Sequence, residues 1–199
     1  MFDKVGNAEL DVIKEIGNIG VGKAATSLSQ MFGRLIEMSV PEVHLARISE
    51  LHRYVEPETL VAATMTTMED MEMGPSGIIF VAFPDGTAEK ICEMLIGEAS
   101  EEMVDSSAME IGNIISSAFC DAIAEMLGIS MMPSPPNFAR DMLAAILQLA
   151  VAQIAGKSDY VIIFETELKD EEDMIEILVI LLPNENFLSY VAEMLGMLG

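Results

Sequence analysis

A stretch of eight residues occurs twice in this chain, the second time in altered form. Asp11-Val12-Ile13-Lys14-Glu15-Ile16-Gly17-Asn18 returns as Ser106-Ser107-Ala108-Met109-Glu110-Ile111-Gly112-Asn113. Each copy sets a short polar residue, a Glu and an Asn at positions i, i+4 and i+7. Each is followed at one spacing by a proline, Pro41 or Pro136, so every matched pair lies 95 residues apart. One polar triplet at helical spacing constrains little. The same triplet with the same distant proline, met twice, requires a fold that builds one local structure in two places.

The segments around the two copies repeat as well. A helix is expected from about Glu9 to Phe32, stopped by Gly33, and another from about Asp105 to Leu127, stopped by Gly128. Ile13, Ile16, Gly20, Ala24, Leu28 and Met31 form one stripe of the first. At about 100° per residue, Asp11, Glu15, Asn18 and Gly22 fall on the opposite face. Ile111, Ile115, Phe119, Ala122 and Met126 do the same for the second, with Ser106, Glu110 and Asn113 opposite. Both polar triplets are therefore expected to face solvent.

An irregular strand near Glu37 to Ile48 follows, begun or broken around Pro41, then strands over Leu60 to Met68 and Gly77 to Phe83, with Gly74, Pro75 and Gly77 as a turn signal. A helix begins after Pro84-Asp85-Gly86 and ends at Gly97. In the second half Pro133, Pro135 and Pro136 interrupt any strand, and a helix from about Arg140 to Ala155 is inserted. Strands over Tyr160 to Leu168 and Met174 to Leu182, joined by the acidic turn 169–173, and a last helix after Pro183 complete the order. Glu93-Met94-Leu95 matches Glu193-Met194-Leu195, so the repeat persists to both ends.

The expected fold class is α+β. A helix, strand and two-strand repeat is duplicated, giving two pseudo-two-fold-related halves that share a six-stranded sheet with helices packed on it. Three short strands would be marginal alone, and joining the halves makes a stable sheet. The whole chain, 1–199, is expected to form one domain, with internal repeats at about 8–98 and 103–199.

Composition narrows the function. The chain has 199 residues and 51% hydrophobic content, enough for a substantial core. Thirty-three acidic against 10 basic residues give a formal charge of −23, which repels phosphate backbones and argues against nucleic acid. The N-terminus has no apolar core of a signal peptide, and the longest apolar stretch, Met142 to Gly156, is shorter than the ~20 residues of a membrane-spanning helix. A cytoplasmic protein without membrane insertion is expected, with Cys92 and Cys120 as reduced, buried thiols. His44 and His52 are isolated. Each reads as a ligand or base, or as a satisfied structural or surface histidine.

The duplicated triplet is where chemistry concentrates. Gly17, Gly20 and Gly22 crowd one segment of the first helix, at a cost of about 1 kcal/mol each against Ala. Close approach of another backbone explains them, and so does close packing against the protein's own sheet. Asn is a poor helix-interior residue, yet it recurs three residues after Glu. An exposed carboxamide both donates and accepts hydrogen bonds, which suits it to orient a water molecule. A Glu one turn earlier can pair with a cation on a partner. No Ser/His/Asp set, P-loop or GxGxxG is present. Glu15 and Glu110 occupy equivalent positions in two halves, so they read as two separate sites and not as one glycosidase-like carboxylate pair.

These residues resemble the CheC/CheX/FliY family of chemotaxis phosphatases, whose motif is Asp or Ser, three residues, Glu, two residues, Asn, then 22 residues and Pro. Both Asp11-x3-Glu15-x2-Asn18-x22-Pro41 and Ser106-x3-Glu110-x2-Asn113-x22-Pro136 match in full. Two motifs in a compact chain resemble the CheC branch. CheX branch members carry one motif and dimerise. FliY members carry an additional switch domain for which this length leaves no room. The resemblance implies hydrolysis of the aspartyl-phosphate of the response regulator CheY. Asn18 and Asn113 would position the attacking water. Glu15 and Glu110 would pair with the regulator's Lys. Asp11 and Ser106 would support the docked helix, and Pro41 and Pro136 would shape the neighbouring loop. No metal or cofactor of the chain's own is implied, and Mg²⁺ would be carried by the phosphorylated partner. A monomer is expected. CheD, a receptor-modifying deamidase, is the second implied partner, with Asp141 as its contact, although Asp141 also reads as a residue that caps or solvates a helix. The competing reading is a non-catalytic CheD-binding adaptor or a flagellar-switch component.

Overall fold

The computed structural model describes residues 7–54, 56, 58–84, 86–97, 100–154, 159–169 and 174–198. In chain order the first half forms helix α1 (Asn7–Phe32), strand β1 (Glu37–Arg47), a 3-10 turn (Ile48–Arg53), β2 (Leu60–Asp70), β3 (Gly74–Pro84) and α2 (Thr87–Ile96). The second forms α3 (Glu101–Leu127), β4 (Met131–Pro133), β5 (Asn137–Met142), α4 (Leu143–Ile154), β6 (Tyr160–Lys169), β7 (Met174–Pro183) and α5 (Glu185–Leu198).

The helix limits follow from local chemistry. Ser100 opens α3, its side chain accepting a hydrogen bond from the Met103 N–H at 3.4 Å. Gly128 closes it at φ 68°, with its N–H donating to Ala124 O.

All strand pairs are antiparallel, in the order β1-β6-β7-β3-β2, and β2 is then edged by β4 and β5. The sheet thus has seven strands where six were expected, because one outer strand is broken in two. Met68 to Asp70 pair with β4, and Leu60 to Met65 pair with β5. Ser134 holds the gap: its N–H donates to Thr67 O at 2.9 Å and its hydroxyl accepts from Thr67 N–H at 3.0 Å. The equivalent strand β1 is continuous but shifts register between Ser39 and Glu42, around Pro41. A proline offers no N–H to the ladder, so both copies tolerate it only at an irregularity on a sheet edge.

The register reveals the symmetry. β3 pairs with its own repeat β7, and Phe80 lies opposite Ile180, near the centre of that pairing. Each half lends its outer strand to the other: β1 lies on β6, and β5 lies on β2. Neither half could complete its sheet alone.

The sheet is covered on both faces. Helices α1, α2, α3 and α5 pack on one, where Ile13, Ile16, Ile91, Ile111, Ile115 and Phe187 meet Ile79, Val81, Ile162, Phe164 and Val179. Helix α4 covers the other, with Leu143, Ile146, Leu147 and Ala150 against Ala63, Ile78, Phe80, Val161, Ile163 and Ile180. Burial on both sides accounts for the unbroken apolar runs Ile78 to Phe83 and Ile177 to Leu182, which alternate with no polar residue.

Two expectations are corrected. The inserted helix starts at Leu143, and Arg140 and Asp141 belong to strand β5. Backbone pairing with β2 holds them extended, an interaction that local propensity does not report. Gly74 and Pro75 lie in β3, with the turn before them. No described helix is long and apolar enough to cross a membrane.

Candidate active sites

Both motifs occupy the solvent-facing ridge of a helix whose other side is core. On α1, Ile13, Ile16, Ala24 and Leu28 are buried, while Asp11, Glu15, Asn18 and Gly22 are exposed. Met31, expected in the apolar stripe, is 39% exposed. On α3, Ile111, Ile115, Phe119 and Ala122 are buried, Ser106 and Glu110 are exposed, and Asn113 is half-buried. Among the described residues no hydrogen bond or ion pair engages the side chains of Glu15, Asn18, Glu110 or Asn113. Ser106 turns its hydroxyl back to Glu102 O at 2.9 Å.

The two helices lie side by side. Gly20 brings α1 onto the Phe119 ring of α3: a Cβ at position 20 would stand 3.0 Å from that ring. Phe119 in turn meets Phe164 edge-on at 5.1 Å between centroids. At the solvent rim Lys23 Nζ and Glu125 Oε2 pair at 3.0 Å.

Of the two explanations for the glycines, packing against the protein's own core holds for Gly17 and Gly20. Gly17 faces Phe164 of β6, where a Cβ would stand 2.8 Å from the ring and 3.8 Å from Val40, next to the Pro41 irregularity. Gly112 faces Thr64 of β2. Gly22 has open space around it. The Gly before each motif Asn therefore lets the helix sink onto a strand, with the Asn about 100° further round the helix. Pro41 lies within β1, and its side chain is outside the described set. Pro136 lies between β4 and β5.

Asp141 is exposed on β5, and its carboxylate accepts from the Met142 N–H at 2.7 Å. It borders a cavity of about 270 Å³ together with Leu60, Phe83, Pro84, Glu89 and Arg140. Arg140 is the interaction that sequence reasoning missed. Its Nε donates to Asp105 at 2.5 Å and its Nη1 to Glu89 at 3.2 Å, tying β5 to the N-terminal parts of α3 and α2. The repeat gave no signal for it, because Leu10 and Leu45 stand at the equivalent positions in the first half.

Cys92 and Cys120 are both buried, as expected. Burial, reinforced by neighbouring Asp121, pushes the Cys120 thiol up to about 12.

The class defined by these features is a duplicated helix-on-sheet α+β fold that carries a Glu and an Asn one turn apart on each of two neighbouring helices. Residues 9–45 match the CheC-like family, and residues 63–165, more than half of the chain, match the family described as chemotaxis phosphatase CheX. The chain belongs to the CheC/CheX family of chemotaxis phosphatases. It is 26% identical over 185 residues to the CheY-P phosphatase CheC of Bacillus subtilis, covering 89% of this chain and 88% of that one. The fold is shared with Thermotoga maritima FliY, at a TM-score of 0.74 and 21% identity over 96% of both chains. It is also similar to CheX of Desulfovibrio desulfuricans, at a TM-score of 0.55 and 15% identity, covering 85% of this chain and 99% of that one.

Proposed function

We propose that this chain hydrolyses the aspartyl-phosphate of a phosphorylated CheY-type response regulator at two sites, Glu15/Asn18 and Glu110/Asn113. The observation that carries this reading is the placement of both Glu/Asn pairs one turn apart on a helix whose opposite side is anchored in the core, with Glu15, Asn18 and Glu110 exposed and Asn113 half-buried. The printed name of the B. subtilis relative supports the substrate class.

Phosphoryl transfer needs a positioned nucleophile and charge stabilisation more than it needs covalent catalysis. The Asn carboxamide accepts a hydrogen bond from a water and holds it in line with the P–O bond of the acyl phosphate. The water oxygen bonds to phosphorus, the bond to the aspartyl oxygen breaks, and a proton passes to solvent. Inorganic phosphate and a free carboxylate result. The Glu carboxylate pairs with a lysine of the regulator and fixes its register on the helix. Mg²⁺ belongs to the regulator in this reading and neutralises phosphoryl charge there. Asp11 and Ser106 support the docked surface from one turn further back.

The same proposal includes regulation by CheD, docking on Asp141 and the cavity beside it. A specific observation favours this: Arg140 links that cavity to Asp105, immediately before the second motif.

The test is phosphate release from phosphorylated CheY, with and without CheD. Asn18→Ala and Asn113→Ala should each remove one site's turnover with the fold intact, since misplacing a reactant by about 1 Å costs ~10²-fold. Normal release by the double variant would overturn the catalytic reading. CheD binding without any release would establish the adaptor instead.

A further inference from the structure

The α4 side of the sheet carries a side-chain cluster that neither motif uses. Val43 and Leu45 of β1 face the core under α1 and α3. Alternation then turns Glu42 and His44 to the opposite face. Glu165 of β6 shares that face with Ile163. Glu42 and Glu165 are direct register partners. Like charges placed opposite one another on adjacent strands are destabilising unless something lies between them.

His44 lies between them. Its Nε2 is 3.1 Å from Glu165 Oε1 and 3.3 Å from Glu42 Oε2. One ring nitrogen has at most one hydrogen to offer, yet two carboxylates converge on it. The three ligand atoms all lie within 4.8 Å of one another. Ligands bound to one ion at about 2.0–2.2 Å are separated by about 3.0 Å in octahedral geometry and about 3.4 Å in tetrahedral geometry. Two of the three edges already have that length.

The surroundings are built around the cluster. The Tyr54 ring lies 4.8 Å from the imidazole, centroid to centroid, tilted 36° to it. Two paired strands hold all three donors. A cleft of about 250 Å³, lined by Tyr54, Glu165, Glu167 and Glu176, opens beside them and leaves room for water ligands. The other half has no counterpart: Asn137, Ala139 and Met65 stand at the equivalent positions, and Met65 pairs with Asn137 as Glu165 does with Glu42. The cluster is therefore not a by-product of the repeat.

We propose that Glu42, His44 and Glu165 bind a divalent transition-metal ion of the Zn²⁺ class. The imidazole selects against Mg²⁺ and Ca²⁺, which take all-oxygen sites. The ion would bridge β1 to β6, bracing the edge strand of the first half against the second half. The site lies on the opposite face of the sheet from both motifs, and it does not depend on the phosphatase reading.

The test is titration of chelator-treated protein with ZnCl₂, in competition with a chromophoric chelator and in thermal melts. One Zn²⁺ per chain should bind, and Tm should rise by about 5 °C at a hundredfold excess over Kd. His44→Gln should abolish both effects. Glu165→Gln should weaken binding about tenfold or more. His52→Gln, a change on the 3-10 turn, should leave both unaltered. Glu42→Gln at an exposed position provides the readout if His44→Gln does not fold. Absence of saturable binding would overturn the proposal. Binding undiminished by the ligand substitutions would overturn it equally.

Discussion

Gly112 of α3 lies directly against the side chain of Thr64 in β2, so close that a Cβ on residue 112 would overlap the Thr64 side chain. Its counterpart Gly17 stands in the same relation to Phe164 of β6. Each motif helix thus rests on a strand, and the glycine next to the motif Asn sets how deeply it rests. Gly112→Ala and Gly17→Ala should each destabilise the fold by about 1–3 kcal/mol, as overpacking does. Gly22→Ala, in open space on the same helix, should stabilise it by about 0.5–1 kcal/mol. Urea unfolding of the three variants decides the matter, and a uniform sign across them would contradict the packing account.

The proposed pairing of Glu15 and Glu110 with a regulator lysine makes a prediction distinct from that for the asparagines. Glu15→Gln in an Asn113→Ala background, which leaves one working site, should raise KM about tenfold with a smaller change in kcat, because a docking charge is lost. The effect should shrink at high salt. Steady-state phosphate release at two ionic strengths measures it.

Arg140 joins three elements through Asp105 and Glu89, but its side chain is about one-third exposed. Solvent screening limits such a pair to about 1 kcal/mol or less. Arg140→Leu should therefore cost little global stability in urea, and less still in 1 M salt. Hydrogen exchange should show its main effect as faster opening of β5 and the N-terminal end of α3.

Cys120 supplies a pH signature. Its thiol pKa is raised from 9.0 to about 12 in the folded protein, first by burial and then by Asp121. The folded state therefore holds this proton more tightly than the unfolded chain. The associated stability is fully present below pH 9, falls as pH rises beyond it, and is lost by about pH 12. Each pH unit within that window removes at most about 1.4 kcal/mol. Chemical unfolding from pH 8 to 10.5 should show this slope, and Cys120→Ala should flatten it. The native thiol should also resist alkylation at pH 8 until the protein unfolds.

The sequence by itself determined the duplication, the two motif helices and the outward direction of Asp11, Glu15, Asn18, Ser106 and Glu110. These properties are written in local spacing: a period of 3.6 residues puts Ile13 and Glu15 on opposite sides whatever the helix packs against. The central strands were equally legible, because burial on both faces leaves unbroken apolar runs such as Ile78 to Phe83. Only the tertiary structure decided which strands pair. Arg140 and Asp141 are extended because β2 lies beside them, not because of their own propensities. The exchange of β1 and β5 between halves, the seats of Gly17 on Phe164 and Gly112 on Thr64, and the meeting of His44 with Glu165 all join residues about 50 to 150 positions apart. Contacts of that range arise from sheet register and helix docking, which no local periodicity encodes.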